Sequence, residues 1–198
     1  EANVGGLTLT DRNYLTSGGE NDIYRKKSKV YAIAQDPSRV IELAKIKELS
    51  RLDHPSIIRP INLIFKADKK TPAGHSMRFV DNAKELCVLF TKDYRDRNNV
   101  SPEGMIKLVE KFRDLIKFIH SKDCLVVDLN EMNFLTNMSD IFAIDVPTYK
   151  TPNYPPTALM ESVRDRHTKD FNEGSDWFSW AVVSFQMLLG VHPYKGKN

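Results

Sequence analysis

The sequence predicts an α+β protein, a strand-rich segment followed by a helical one, and three observations carry that prediction. Over residues 7–34, apolar, β-branched and aromatic residues come in short runs separated by turn residues. Over residues 101–120, apolar residues recur at the three-and-four spacing of a helix face. Residues 175–189 form an apolar stretch in which Asp176 is the sole charge. The 198 residues are 41% hydrophobic and 28% charged, a balance that supports a real core and excludes a disordered chain.

In chain order, strands are expected at 7–9, 14–15, 23–24 and 30–34, with Ser17-Gly18-Gly19 and Lys27-Ser28-Lys29 as turns. From Ser38 the period becomes helical, with Ile41, Ala44, Leu49 and Leu52 near one face and Glu42, Lys45, Lys47 and Arg51 between them. Pro37 suits the start of that helix and Asp53-His54-Pro55 its end. Residues 57–67 and 74–80 read as two strands joined by a turn at 68–73. Residues 84–90 read as a short helical stretch and 91–100 as a solvated polar loop. Ser101 can cap the free amides of the next helix and Pro102 fits its first turn, with Ile106, Val109, Phe112, Leu115, Ile116 and Ile119 as the apolar face. A short strand at 125–127 ends at Asp128, and 134–136 with 142–144 form a hairpin before Asp145. The helix at 175–189 is apolar on nearly every side and is expected to be central.

Composition also narrows partners and setting. A net charge of +3, from 29 basic and 26 acidic residues, is too small a surplus to imply a nucleic-acid partner. Cys87 and Cys124 have neither disulfide-framework nor zinc spacing, which fits a reducing cytoplasm. The longest apolar run, within 180–190, is interrupted by Ser184 and Gln186 and falls short of the ~20 residues a bilayer span needs. Residues 1–10 lack the basic start and apolar core of a signal peptide, so no membrane association is expected.

The chemistry is concentrated between the two long helices. Asp128, Asn133 and Asp145 stand in Val-Val-Asp-Leu-Asn-Glu-Met-Asn and Ala-Ile-Asp-Val-Pro. Magnesium takes oxygen ligands and borrows several from water and phosphate, so one carboxylate and one side-chain amide suffice, and Asn133 and Asp145 fit that role. A hydroxyl nucleophile gains from a carboxylate that takes its proton late in transfer, which fits Asp128 as general base. Taken singly, an Asp or Asn in a turn usually bonds its own backbone. Three at this spacing between two such helices form a set.

With these motifs the chain resembles the protein kinase superfamily, from about Leu15 to Gly196. Residues 118–133 look like the end of helix E and the catalytic loop, and Asp145-Val146-Pro147 is similar to the metal-binding Asp-Phe-Gly motif. Residues 175–194 resemble helix F and its exit, with Asp176 in the place of the aspartate that braces the catalytic loop. Residues 52–58 look like the end of helix C, Met77 falls near the gatekeeper, and Arg78, Phe79 and Val80 fall on the adenine hinge. The nearest style is the bacterial and phage type with an Asp-Leu-Asn catalytic loop. The resemblance implies a two-lobed kinase-like fold, with a small antiparallel-sheet N-lobe at 1–80 and a helical C-lobe at 81–198 that stops after helix F. It implies binding of ATP and Mg2+, and phosphotransfer of the protein serine/threonine type.

Several positions depart from the pattern. The Gly-rich loop aligns with residues 16–21, where only Gly18 matches and Gly19 substitutes as the point of close approach. The strand-3 lysine is missing, with Ala32 as its aligned position. The helix C glutamate position falls on Lys45, a candidate for a relocated cation, though a solvated helix lysine is the simpler reading. Val126 and Val127 replace His-Arg, Asn130 replaces a lysine, and Pro147 replaces a glycine, so the following segment is expected to be stiff rather than a phosphorylation switch. An impaired or inactive enzyme is expected, with a nucleotide-binding or scaffolding pseudokinase as the alternative. The nucleotide and a protein substrate or partner are the expected ligands. The stop after helix F leaves three readings open: a fragment, a reduced lobe, or a homodimer through the uncovered helix face.

Overall fold

The computed structural model describes residues 7–195. Residues 1–6 and 196–198 lie outside them, as therefore do parts of the signal-peptide reading and of the C-terminal stop. The chain is mixed α and β and divides into two compact units, one comprising residues up to Asp53 together with Ile58–Val80, the other His54–Ile57 and everything from Asp81 onward.

The first unit is a five-stranded antiparallel sheet in the order β1-β2-β3-β5-β4. Its strands are β1 (Tyr14–Ser17), β2 (Asn21–Lys26), β3 (Lys29–Ala34), β4 (Asn62–Phe65) and β5 (Pro72–Arg78). β4 is shorter than the expected 57–67, because Ile57 belongs to the other unit and Pro60 precedes the pairing. Register places Ile23, Ala32 and His75 side by side across β2, β3 and β5, and all three therefore share one face of the sheet. Gly74 makes this packing possible. A Cβ there would lie 2.0 Å from the Ala32 carbonyl oxygen, so no larger residue fits.

The helix expected from Ser38 is much shorter. Pro37–Arg39 is a single 3₁₀ turn capped by Asp36, and the α-helix α1 runs only Leu43–Leu49. It buries Lys45, Ile46 and Leu49, with Leu52 buried beyond its end, whereas Leu43 is half exposed. Lys45 is 6% exposed, which overturns its reading as a solvated helix lysine.

The second unit is built on two long helices, α3 (Pro102–His120) and α4 (Glu173–Leu189), with the sheet order β6-β7-β8 beside them. β6 is Lys84–Glu85, β7 Phe134–Thr136 and β8 Ile141–Ala143, so the first part of the stretch expected to be helical is a strand and Leu86–Phe90 a 3₁₀ turn. Ser101 caps α3 by accepting the Gly104 N–H at 3.1 Å. α3 buries Met105, Leu108, Phe112, Leu115, Ile116 and Ile119, while Ile106 faces outward. Phe112 meets Phe134 of the hairpin edge-on, with centroids 4.7 Å apart.

The expected polar loop 91–100 contains a helix, α2 (Lys92–Arg97). Arg95 from it donates to the carbonyls of Met187 and Leu188 at 3.0 and 3.2 Å, supplying partners to the free carbonyls that end α4. Gly190 closes that end at φ +76°, where a Cβ would meet the Phe90 carbonyl at 2.6 Å. α4 is less central than its composition suggests. Val182, Val183 and Met187 are buried, but Phe185, Leu188 and Leu189 are exposed. Among the described residues no helix is long and apolar enough to cross a membrane.

Candidate functional site

The site in the second unit is built around Asp176, which is fully buried on the first turns of α4. Asn172 caps that helix, so Asp176 sits where the free amides favour negative charge. One of its oxygens accepts the Val126 N–H at 2.8 Å and contacts His120 Nε2 at 2.9 Å; the other accepts the Val127 N–H at 2.8 Å. Trp177 closes edge-on against His120. A buried carboxylate needs such donors to offset the loss of water.

This anchoring explains the local backbone. Residues 125–127 are not the strand expected: Leu125 alone pairs, exchanging two 3.0 Å hydrogen bonds with Lys150, and the next two amides turn to Asp176. Val127 stands at φ +63°, a conformation that a β-branched residue rarely adopts and that its bond to Asp176 holds. The bend presents Asp128 rather than continuing into a sheet.

Asp128 is 8% exposed, and both its oxygens have donors. Asn133 Nδ2 lies 3.0 Å from Oδ2 and 2.9 Å from the Asp128 carbonyl, while the Met160 N–H donates to Oδ1 at 2.6 Å. Asn130 caps the 3₁₀ turn Glu131–Asn133 by accepting the Met132 N–H. Asn133 and Asp145 are linked through backbone, since the Ile144 N–H donates to the Asn133 carbonyl at 2.9 Å. Asp145 follows at φ +56°, and the Thr148 hydroxyl and N–H both donate to its carbonyl. Asp128, Asn133 and Asp145 are thus gathered within one unit, carried by a bend, a 3₁₀ turn and a strand exit rather than by three strand ends.

The donor set suits magnesium. With Asn133 Nδ2 turned to Asp128, its Oδ1 is the atom left to serve as a ligand, and Asp145 supplies the carboxylate. Among the described residues no group of three His, Cys, Asp or Glu could hold a metal ion.

Sequence reasoning missed three groups: the Met160 amide, His120 as a partner of Asp176, and Tyr149. A backbone donor carries no residue signature, and the contact between His120 and Asp176 spans 56 positions. Tyr149 is fully buried with no protein partner for its hydroxyl. Burial first, then the charges of Asp176 and Asp145, holds its phenol well above the usual range, so it stays neutral.

The remaining candidates lie in the first unit. Gly18 and Gly19 form the exposed turn between β1 and β2, where the Gly18 N–H donates to the Asn21 carbonyl at 2.9 Å. A Cβ at Gly19 would meet nothing within 4 Å. Ala32 is 1% exposed, Met77 pairs with Val30, and Phe79 lies under the Arg25 guanidinium at 3.6 Å, next to Val80.

No family model matches the chain. Over 92 residues it is 33% identical to the cAMP-dependent protein kinase type 3 of Saccharomyces cerevisiae, a stretch covering 42% of this chain and 22% of that protein. The matched stretch therefore spans about a fifth of that relative's length. The likeness is to a protein kinase, over part of the chain.

Proposed function

We propose that this chain is a kinase-like module that binds magnesium ATP, with the first unit as N-lobe and the second as C-lobe, and an Asp-Leu-Asn catalytic loop of bacterial or phage style. The observation that carries this reading is the buried Asp176, which turns the Val126 and Val127 amides inward just before Asp128, whose carboxylate is bonded by Asn133. The partial likeness to a yeast protein kinase supports it.

In this reading Asn133 and Asp145 hold Mg2+, which when bound neutralises charge on the triphosphate. Asp128 receives the proton of the acceptor hydroxyl, of serine/threonine type on a protein. Asn133 keeps its carboxylate in place through the bond to Oδ2. Gly18 and Gly19 offer close backbone approach to phosphates, and Met77, Phe79 and Val80 contact the adenine. Lys45, at the helix C glutamate position, is the cation we assign to the phosphates in place of a lysine at Ala32. With that position an alanine, transfer is expected to be slow.

A specific observation favours a second reading, nucleotide binding without transfer: Ala32 is closed off at 1% exposure, so a lysine side chain there would have no room without rearrangement. Thermal unfolding with and without magnesium ATP tests both readings. Ligand at 100 times its dissociation constant should add about 2.7 kcal/mol of stability. The shift should vanish in Asp145→Ala and weaken in Lys45→Met. Its absence in the unsubstituted chain would refute nucleotide binding, and a shift without detectable transfer would leave the second reading.

A further inference from the structure

The sheet of the first unit has two faces of different character. Strand alternation puts Val30, Ala32 and His75 on the inner face, where all three are buried. The outer face follows from the same register. Tyr14 of β1 stands opposite Tyr24 of β2, and Tyr24 opposite Tyr31 of β3, so three tyrosines lie side by side across three strands. Two residues along the strands, Lys26 of β2 stands opposite Lys29 of β3, and Lys29 opposite Arg78 of β5. The two rows are about 7 Å apart along the strands, and neighbours within a row about 5 Å apart.

The tyrosines are accessible: Tyr14 is 46% exposed, and Tyr24 and Tyr31 are half-buried. Tyr14 and Tyr24 meet edge-on with centroids 5.7 Å apart. Cross-strand aromatic pairs stabilise a sheet by themselves, whereas directly opposed cations destabilise it. The second row therefore works against the fold and points to a ligand that brings negative charge. Lys29 and Arg78 are exposed, and Lys26 is half-buried, its ammonium donating to the Thr8 carbonyl at 3.0 Å with two further protons to give. Lys27 adds a cation at the hairpin tip, at a φ of +58° that favours glycine or asparagine. Asp22, the carboxylate on this face of β2, lies on the other side of the tyrosines and accepts hydrogen bonds from Ser17 and Gln35.

We propose that this face binds single-stranded nucleic acid, with bases stacked on Tyr14, Tyr24 and Tyr31 and backbone phosphates on Lys26, Lys29 and Arg78. Every base has a π-face, so aromatic side chains hold a single strand whatever its sequence, while a basic row beside them tracks the backbone. A duplex hides its base faces and an acidic peptide has none, so neither would use the tyrosine row. The net charge of +3 is a sum over the whole chain, in which this local row does not show. The inference is independent of the magnesium ATP reading, because none of these six residues belongs to that site.

Fluorescence anisotropy on the full chain tests it, with labelled oligothymidine and oligouridine of about 12 nucleotides, a duplex of the same length and polyglutamate as probes. Co-sedimentation with vesicles of equal parts phosphatidylserine and phosphatidylcholine completes the set. Saturable binding of one or both single strands is expected below about 100 µM protein at about 50 mM salt, and the tighter of the two identifies the source as DNA or RNA. Affinity should fall by about fivefold or more in Tyr24→Ala and in Tyr31→Ala and recover in Tyr24→Phe. The slope of log affinity against log salt should shrink by about 0.7 in Lys29→Gln, an exposed position that reads the proposal even where a tyrosine variant unfolds. Saturating magnesium ATP should leave binding unchanged. Failure of both single strands to bind overturns the proposal, as does equal or tighter binding of the duplex, polyglutamate or the vesicles. Unaltered affinity in folded Tyr24→Ala and Tyr31→Ala, an unaltered salt slope in Lys29→Gln, or displacement by magnesium ATP overturns it as well.

Discussion

The two units treat buried polar groups in opposite ways. In the second, Asp176 is fully buried and its oxygens meet two amides and an imidazole, so the side chain fixes the course of the backbone around it. In the first, His75 is almost as buried at the centre of the sheet, but its Nε2 has no protein partner. Desolvation alone lowers its pKa to about 4. A saturated buried charge specifies a conformation. A partly satisfied neutral imidazole mostly occupies space, and it makes its unit sensitive to acid.

The sharpest way to break this contrast is Asp176→Ala. It leaves the Val126 and Val127 amides without their acceptor and the strained Val127 without its hold, and should cost about 3–5 kcal/mol in urea unfolding. A loss below 1 kcal/mol would mean that Asp176 does not organise the loop.

The next effect is at His75. Its folded pKa lies below the ordinary 6.5, so between about pH 6.5 and pH 4 the unfolded chain binds more protons than the folded one. Stability contributed by the neutral imidazole is therefore present above pH 6.5 and lost as pH falls toward 4, by about 3 kcal/mol in all. Denaturant midpoints across that window should flatten in His75→Leu relative to the unsubstituted chain. Equal slopes would assign the acid sensitivity elsewhere, with His54, also lowered by burial, the first alternative.

The smallest effect sharpens the contrast at the glycine turn. Gly19→Ala adds a Cβ into open space at a residue without a left-handed φ, so stability should change by less than about 0.5 kcal/mol. If the turn approaches phosphates, the same substitution should reduce the magnesium ATP shift. A stability loss above 1 kcal/mol would show that the turn is packed after all.

Much of the architecture was legible in sequence. Periodicity gave α3, an apolar stretch gave α4, turn residues gave the β7–β8 hairpin, and the resemblance of residues 175–194 to helix F put Asp176 in the place of a bracing aspartate. Less legible were elements whose form depends on distant partners. Residues 91–100 looked like a solvated loop because their polarity is high, yet Arg95 is held there by carbonyls that are ninety residues away. Lys45 looked solvated because lysine usually is, and tertiary packing buried it.

The sequence by itself determined which groups could do chemistry: Asp128, Asn133 and Asp145 at their spacing, and a strand position occupied by Ala32. Tertiary structure alone decided how those groups are held. Asp176 reaches the 126–127 amides across fifty residues, and Met160 reaches Asp128 through a backbone amide that every residue but proline carries. Residue identity records which side-chain atoms a position supplies. Which backbone donor saturates a buried carboxylate depends on where the chain returns.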